Sequence, residues 1–216
     1  MKNDRIRSMT TAAMLTALAV AAVWICRIPI VLFLKYEPKN VILTIGGFLF
    51  GPMMALVVTV ASALIEMITV SDTAGWGLLM NILASGSFAV FASLAYRKKR
   101  TLTGAVIGLI GGTILSTAMM LLWNWLVTPL YMGIERADVI KLLVPYFLPF
   151  NALKGSLNSA LTLLLYKPAV TALRHSGLLR TTANTHAPQA KTTVLVSVCA
   201  AALLACSVIA FLVLHG

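Results

Sequence analysis

The stretch FLPFNALKGSLNSALTLLLYKP, residues 147–168, decides how the rest of the chain is read. It is apolar enough to cross a bilayer, yet its first half carries Asn151, Lys154 and Asn158. Those residues fall at i, i+3 and i+7, so on a helix they share one face. A charged or amide side chain in hydrocarbon is expensive, and it normally turns into a protein interior or a wet cavity. The segment therefore reads as one wall of a polar-lined pocket inside a membrane protein, with the other apolar segments as the remaining walls.

Composition supports that class. The 216 residues are 60% hydrophobic and 11% charged, with a mean hydropathy of +0.94, whereas soluble domains carry about 25% charged residues. The net charge of +11 would suggest nucleic acid in a soluble chain. Here the basic residues cluster between apolar runs, at Lys2, Arg5 and Arg7, in RKKR at 97–100, and at Lys167, Arg174, Arg180 and Lys191. That is the pattern of the positive-inside rule, and no nucleic-acid partner is implied. Cys26, Cys199 and Cys206 lie in apolar segments without metal-ligand spacing and read as small buried hydrophobes.

Working outward, the sequence predicts an all-α integral membrane protein with six spans followed by a seventh. The first is 9–26, read as retained, although basic residues and Ala19-Val20-Ala21 imitate a signal peptide. An irregular apolar connector, IPIVLFLKYEPKN, follows as a candidate lid. A short or tilted helix covers 40–50, and Gly51-Pro52 marks a tight turn. Further spans are expected at 53–70, 78–96 and 103–127, a loop at LYMGIERAD after Pro129, and a sixth span from 142 to 172. The membrane core is thus 1–174, with a polar linker at 175–192 and an extra transmembrane helix within 193–216.

With the N-terminus cytoplasmic, eleven Lys/Arg and only Asp4 fall on the inner side. The outer segments hold Arg27, Lys35, Lys39, Arg136 and Lys141 against Glu37, Asp72, Glu135 and Asp138. This asymmetry sets the orientation. It brings Glu66, Asn81, Asn124, Asn151 and Lys154, from four helices, to the outer half of the bundle beside the connector. A pocket open to the outside is the natural inference. Taken singly, each has a plainer reading: Lys154 snorkelling to headgroups, the asparagines bonding helix to helix, and Trp76, Trp123, Trp125 and Tyr131 forming an interfacial belt. Ala13, Ala17 and Ala21, at i, i+4 and i+8, form a small-residue stripe suited either to internal packing or to a partner helix. The chain lacks a GxxxxGK[ST] loop, a metal cluster and a His-containing catalytic set, so it does not read as an enzyme.

Five blocks taken together resemble one family: KYEPKNVILTIGGFLFGP (35–52), IEMITVSDTAGWGLLMNILAS (65–85), YRKKRTLTGAVIG (96–108), LLWNWLVTPLYMG (121–133) and LPFNALKGSLNSALTLLLYKP (148–168). They are similar to the riboflavin-binding S components of energy-coupling factor (ECF) transporters, across residues 9 to about 174. The resemblance implies a six-helix substrate-binding subunit in a prokaryotic plasma membrane, partnered by a transmembrane T subunit and two ATPases. It implies docking of the first helix on the T subunit through Ala13, Ala17 and Ala21. It also implies flavin contacts from Asn124, Asn151 and Lys154, with the connector as lid. Around them Glu66, Asn81, Leu34, Tyr36, Met80 and Trp123 complete the candidate ligand set. Riboflavin would be a transported substrate, with no cofactor. An asparagine amide offers a donor and an acceptor to the isoalloxazine edge, and a lysine adds a charge-assisted donor. The alternatives are an S component for another vitamin or a flavin nucleotide, and a self-sufficient secondary transporter using Glu66 and Lys154 as an ion relay. The latter usually carries internal repeats, and this chain shows none.

Overall fold

The computed structural model describes residues 2–31, 34–70 and 74–175. The expected seventh span, with its linker, lies outside these residues. Six helices form the bundle: α1 (Lys2–Ile25), α2 (Lys39–Phe50), α3 (Pro52–Thr69), α4 (Ala74–Lys98), α5 (Leu102–Leu126) and α8 (Leu148–His175). Residues Arg5–Ile25, Pro52–Thr69, Gly75–Lys98 and Leu102–Leu130 are each long and apolar enough to cross a membrane. The α2 helix has 12 residues, about 18 Å of rise, and is short as its spacing before Gly51-Pro52 predicts.

Local chemistry sets the boundaries. Gly51 adopts φ 100°, a region open to glycine, and Pro52 then fills the first turn of α3, where no N–H is missed. Thr101 caps α5 by accepting from the Gly104 backbone N–H at 3.2 Å. Arg97 and Lys98 occupy the last turn of α4, where cations oppose the helix dipole favourably.

The bundle is packed with small residues inside and large apolar ones outside. Ala19, Ala55, Ala89 and Ala92 are fully buried, while Met9, Ile25, Met53, Ile68 and Ile114 face outward. That is how helices pack when lipid, not water, covers their outer faces. The α4–α5 pair is tightest. A Cβ on Gly112 would sit 2.8 Å from the Phe88 carbonyl oxygen, and one on Gly108 would sit 2.7 Å from that of Ala92.

Three expectations are corrected. Among its described residues the connector carries two short strands: Ile28–Val31 (β1) and Leu34–Tyr36 (β2) pair antiparallel, with Ile28 opposite Tyr36 and a register shift between Pro29 and Val31. A lone two-stranded hairpin is marginal. This one is held because Ile30 and Tyr36 pack on Phe150, and on Leu153, Leu157 and Leu161 of α8. The expected loop after α5 contains two short helices, α6 (Thr128–Met132) and α7 (Arg136–Leu142). Pro129 does end α5, but it also opens α6. A π-helical turn, Leu143–Phe147, then leads into α8. Cys26, expected inside, is exposed at the end of α1.

Candidate functional site

A cavity of about 260 Å³ opens between α1, the hairpin, α3, α4, α5 and α8. That is slightly under the about 300 Å³ at which ligand pockets begin, so the space is at the small end for a ligand. Seven of the nine candidate ligand residues line it: Leu34, Glu66, Met80, Asn81, Asn124, Asn151 and Lys154. Tyr36 and Trp123 are not part of the wall. Trp123 packs edge-on against Trp76 at 6.5 Å. Tyr36 instead donates its hydroxyl to Asn158 Oδ1 at 3.2 Å, beneath the hairpin.

The two asparagines are fixed in the same way. Asn124 Nδ2 donates to the Met120 carbonyl at 2.7 Å, and Asn151 Nδ2 donates to the Phe147 carbonyl at 2.8 Å. A carbonyl only accepts, so in both residues the group facing it is the NH2. Thr128 then donates to Asn124 Oδ1 at 2.9 Å. Phe147 is the last residue of the π-helical turn, so the irregular backbone before α8 supplies the carbonyl that holds Asn151. Such turns concentrate at functional sites.

At the mouth lies a charge network that the sequence did not reveal. Arg27 Nε lies 3.2 Å from Glu37 Oε1, and Lys39 Nζ lies 3.6 Å from Glu37 Oε2. Lys39 also donates to Glu66 Oε2, which accepts from Asn81 Nδ2 at 3.2 Å. Arg27 Nη1 donates to the Val70 carbonyl at 2.9 Å, tying the end of α1 to the end of α3. Lys39 is only 1% exposed, although the sequence counts it among the charges of the outer segments. Burial alone would raise the Glu37 carboxyl pKa, but Lys154, Lys39 and Arg27 outweigh it and hold it below the ordinary carboxylate range. Glu37 is therefore ionised at neutral pH. Arg27, Lys39 and Lys154 face two carboxylates, Glu37 and Glu66, so cations outnumber anions around the cavity.

Three further polar atoms in the wall are buried without a partner: Asn40 Oδ1, Glu66 Oε1 and Asn158 Nδ2. On the far side of α1, Ala13, Ala17 and Ala21 are exposed, while Leu15, Ala19 and Val23 are buried. Among the described residues the stripe faces away from the bundle.

Comparison with known proteins agrees with this architecture. Residues 7–166 match the family described as ECF transporter, substrate-specific component. The riboflavin transporter RibU of Staphylococcus aureus (strain TCH60) is 29% identical over 171 residues, 74% of this chain and 89% of that protein. The riboflavin transporter RibU of Streptococcus thermophilus (strain ATCC BAA-250 / LMG 18311) is 29% identical over 150 residues, 65% of this chain and 71% of that one. The solved S component of a bacterial ECF transporter superposes with a TM-score of 0.65 at 28% identity, covering 81% of this chain and 99% of that one.

Proposed function

Because the chain belongs to the family of substrate-specific components of ECF transporters, we propose that it captures riboflavin in this cavity for uptake into the cell. The observation that carries the proposal is the wall formed by Asn124, Asn151 and Lys154 opposite the hairpin. Two amides and an ammonium, held within apolar surroundings of Leu34, Met80 and Phe150, suit a flat ring system with carbonyl acceptors and one N–H donor along an edge. Lys154 supplies a charge-assisted donor to a ring carbonyl. The related proteins from two organisms bear the name of riboflavin transporters, which supports the choice of vitamin.

Transport then requires energy from elsewhere. The exposed Ala13, Ala17 and Ala21 stripe lets a T-subunit helix approach α1 closely, and two ATPases drive the assembled complex. The N-terminus and the RKKR turn face the cytoplasm, and the hairpin faces outward. The test is in two parts. The detergent-purified chain should carry co-purified flavin, visible as yellow absorbance, and riboflavin uptake in cells should stop when the ATPase partners are deleted. A colourless chain that does not take up riboflavin would refute the substrate. Uptake that persists without the ATPases would make it a self-sufficient carrier.

A further inference from the structure

We infer that Asn158 contacts the ligand at the floor of the cavity, and that Tyr36 is the positioning residue that aims its amide. Asn158 lies two turns along α8 from Asn151, roughly 10 Å deeper at 1.5 Å per residue, and it is completely buried. The residue is part of the cavity wall. Unlike Asn124 and Asn151, it does not bond to its own helix; its backbone carbonyl is taken by Thr162 Oγ1 at 2.6 Å. Its Oδ1 accepts the Tyr36 hydroxyl, and its Nδ2 is buried with no partner. A buried N–H left without an acceptor is costly, and such orphans are uncommon enough to call for an explanation. A ligand oxygen reaching the floor, whether carbonyl or hydroxyl, supplies the missing acceptor.

Tyr36 holds that amide where it stands, its hydroxyl donating to Asn158 Oδ1, although a hydroxyl can also accept. With Oδ1 held by the hydroxyl, only Nδ2 is left for the ligand, so the floor is a donor. Tyr36 belongs to β2 and is anchored among Ile30 and Phe150, so the amide is aimed only while the hairpin rests on α8. The hairpin thereby takes part in recognition without Tyr36 touching the ligand. The opposing possibility is that the pair merely pins the hairpin to α8.

The inference rests on the riboflavin reading, and its test separates the two. Riboflavin fluorescence quenching and thermal unfolding, with and without riboflavin, are measured on the full chain in detergent. Asn158→Leu keeps the branched shape and removes both polar atoms, the orphan included. It should weaken riboflavin binding roughly tenfold or more; combined with Tyr36→Phe, so that no hydroxyl is stranded, the ligand-free chain should unfold at the same or a higher temperature than Tyr36→Phe alone. Tyr36→Phe should weaken binding roughly threefold to tenfold, and should add nothing in the Asn158→Leu background. If Asn158→Leu binds within about twofold of the parent and its ligand-free form is destabilised, the amide is a structural pin and the inference falls. Independent, additive losses from the two changes would overturn the positioning role. A parent that does not quench riboflavin overturns the substrate reading instead. The ligand-free unfolding temperature of the double variant against Tyr36→Phe then still reads the floor: a rise leaves a donor with no structural partner, and a fall makes the amide a structural pin and overturns the inference.

Discussion

Replacing Lys39 by Met tests whether the mouth of the cavity is held by charge. The substitution nearly conserves length and apolar stem, so what it removes is the ammonium. That group lies against Glu66 Oε2 and 3.6 Å from Glu37 Oε2. All three side chains are at most 8% exposed. Without it, Glu66 keeps only the Asn81 amide as a hydrogen-bond partner and Glu37 keeps Arg27, with Lys154 left as the second nearby cation. Removing one partner of a buried pair costs about 3–5 kcal/mol, because the remaining charge is stranded. For a chain of this size 1 kcal/mol corresponds to about 2–4 °C in Tm, so the expected loss is roughly 6–20 °C. Thermal unfolding of the detergent-solubilised chain measures it. Adding Glu66→Gln to Lys39→Met neutralises the stranded carboxylate and should restore much of the loss. If Lys39→Met unfolds within about 2 °C of the parent, the network does not hold the hairpin end of the bundle, and the buried pairing is wrong.

Three other outcomes follow from the same geometry. Asn151→Ala should weaken riboflavin binding roughly tenfold, and Lys154→Ala by more because its missing hydrogen bond is charge-assisted; titration by fluorescence quenching reads both. Ala17→Trp, on the outward face of α1, should leave that binding intact and abolish cellular uptake, since it blocks only the approach of the T subunit. Gly112→Leu places a Cβ 2.8 Å from the Phe88 carbonyl oxygen and should cost at least about 1–3 kcal/mol by overpacking, seen as a lower unfolding temperature.

The helical bundle was legible because apolar run length and breakers at Gly51-Pro52 and Pro129 act locally. Asn151, Lys154 and Asn158 stood out for a similar reason: their spacing on one apolar helix needs no knowledge of neighbours. The hairpin did not stand out, because Pro29 and a second strand of only three residues (Leu34–Tyr36) give little period-two signal. Its stability comes from packing on α8, which is distant in sequence. Lys39 was read as an outer-loop charge because burial depends on Glu66, 27 residues away. Tyr36 was placed among the ligand contacts on residue type. Its partner Asn158 lies 122 residues on, and only the fold shows that the hydroxyl is spent there.

The central claim is that this cavity is a specific riboflavin site and that Lys154 and the asparagines recognise the flavin edge. Titrating riboflavin into the purified flavin-free chain, without T subunit or ATPases, tests it most directly. Fluorescence should quench saturably with one riboflavin bound per chain, and the Lys154→Ala curve should shift to weaker binding by more than about tenfold. Absence of saturable quenching, or a Lys154→Ala curve that overlays the parent, would contradict it.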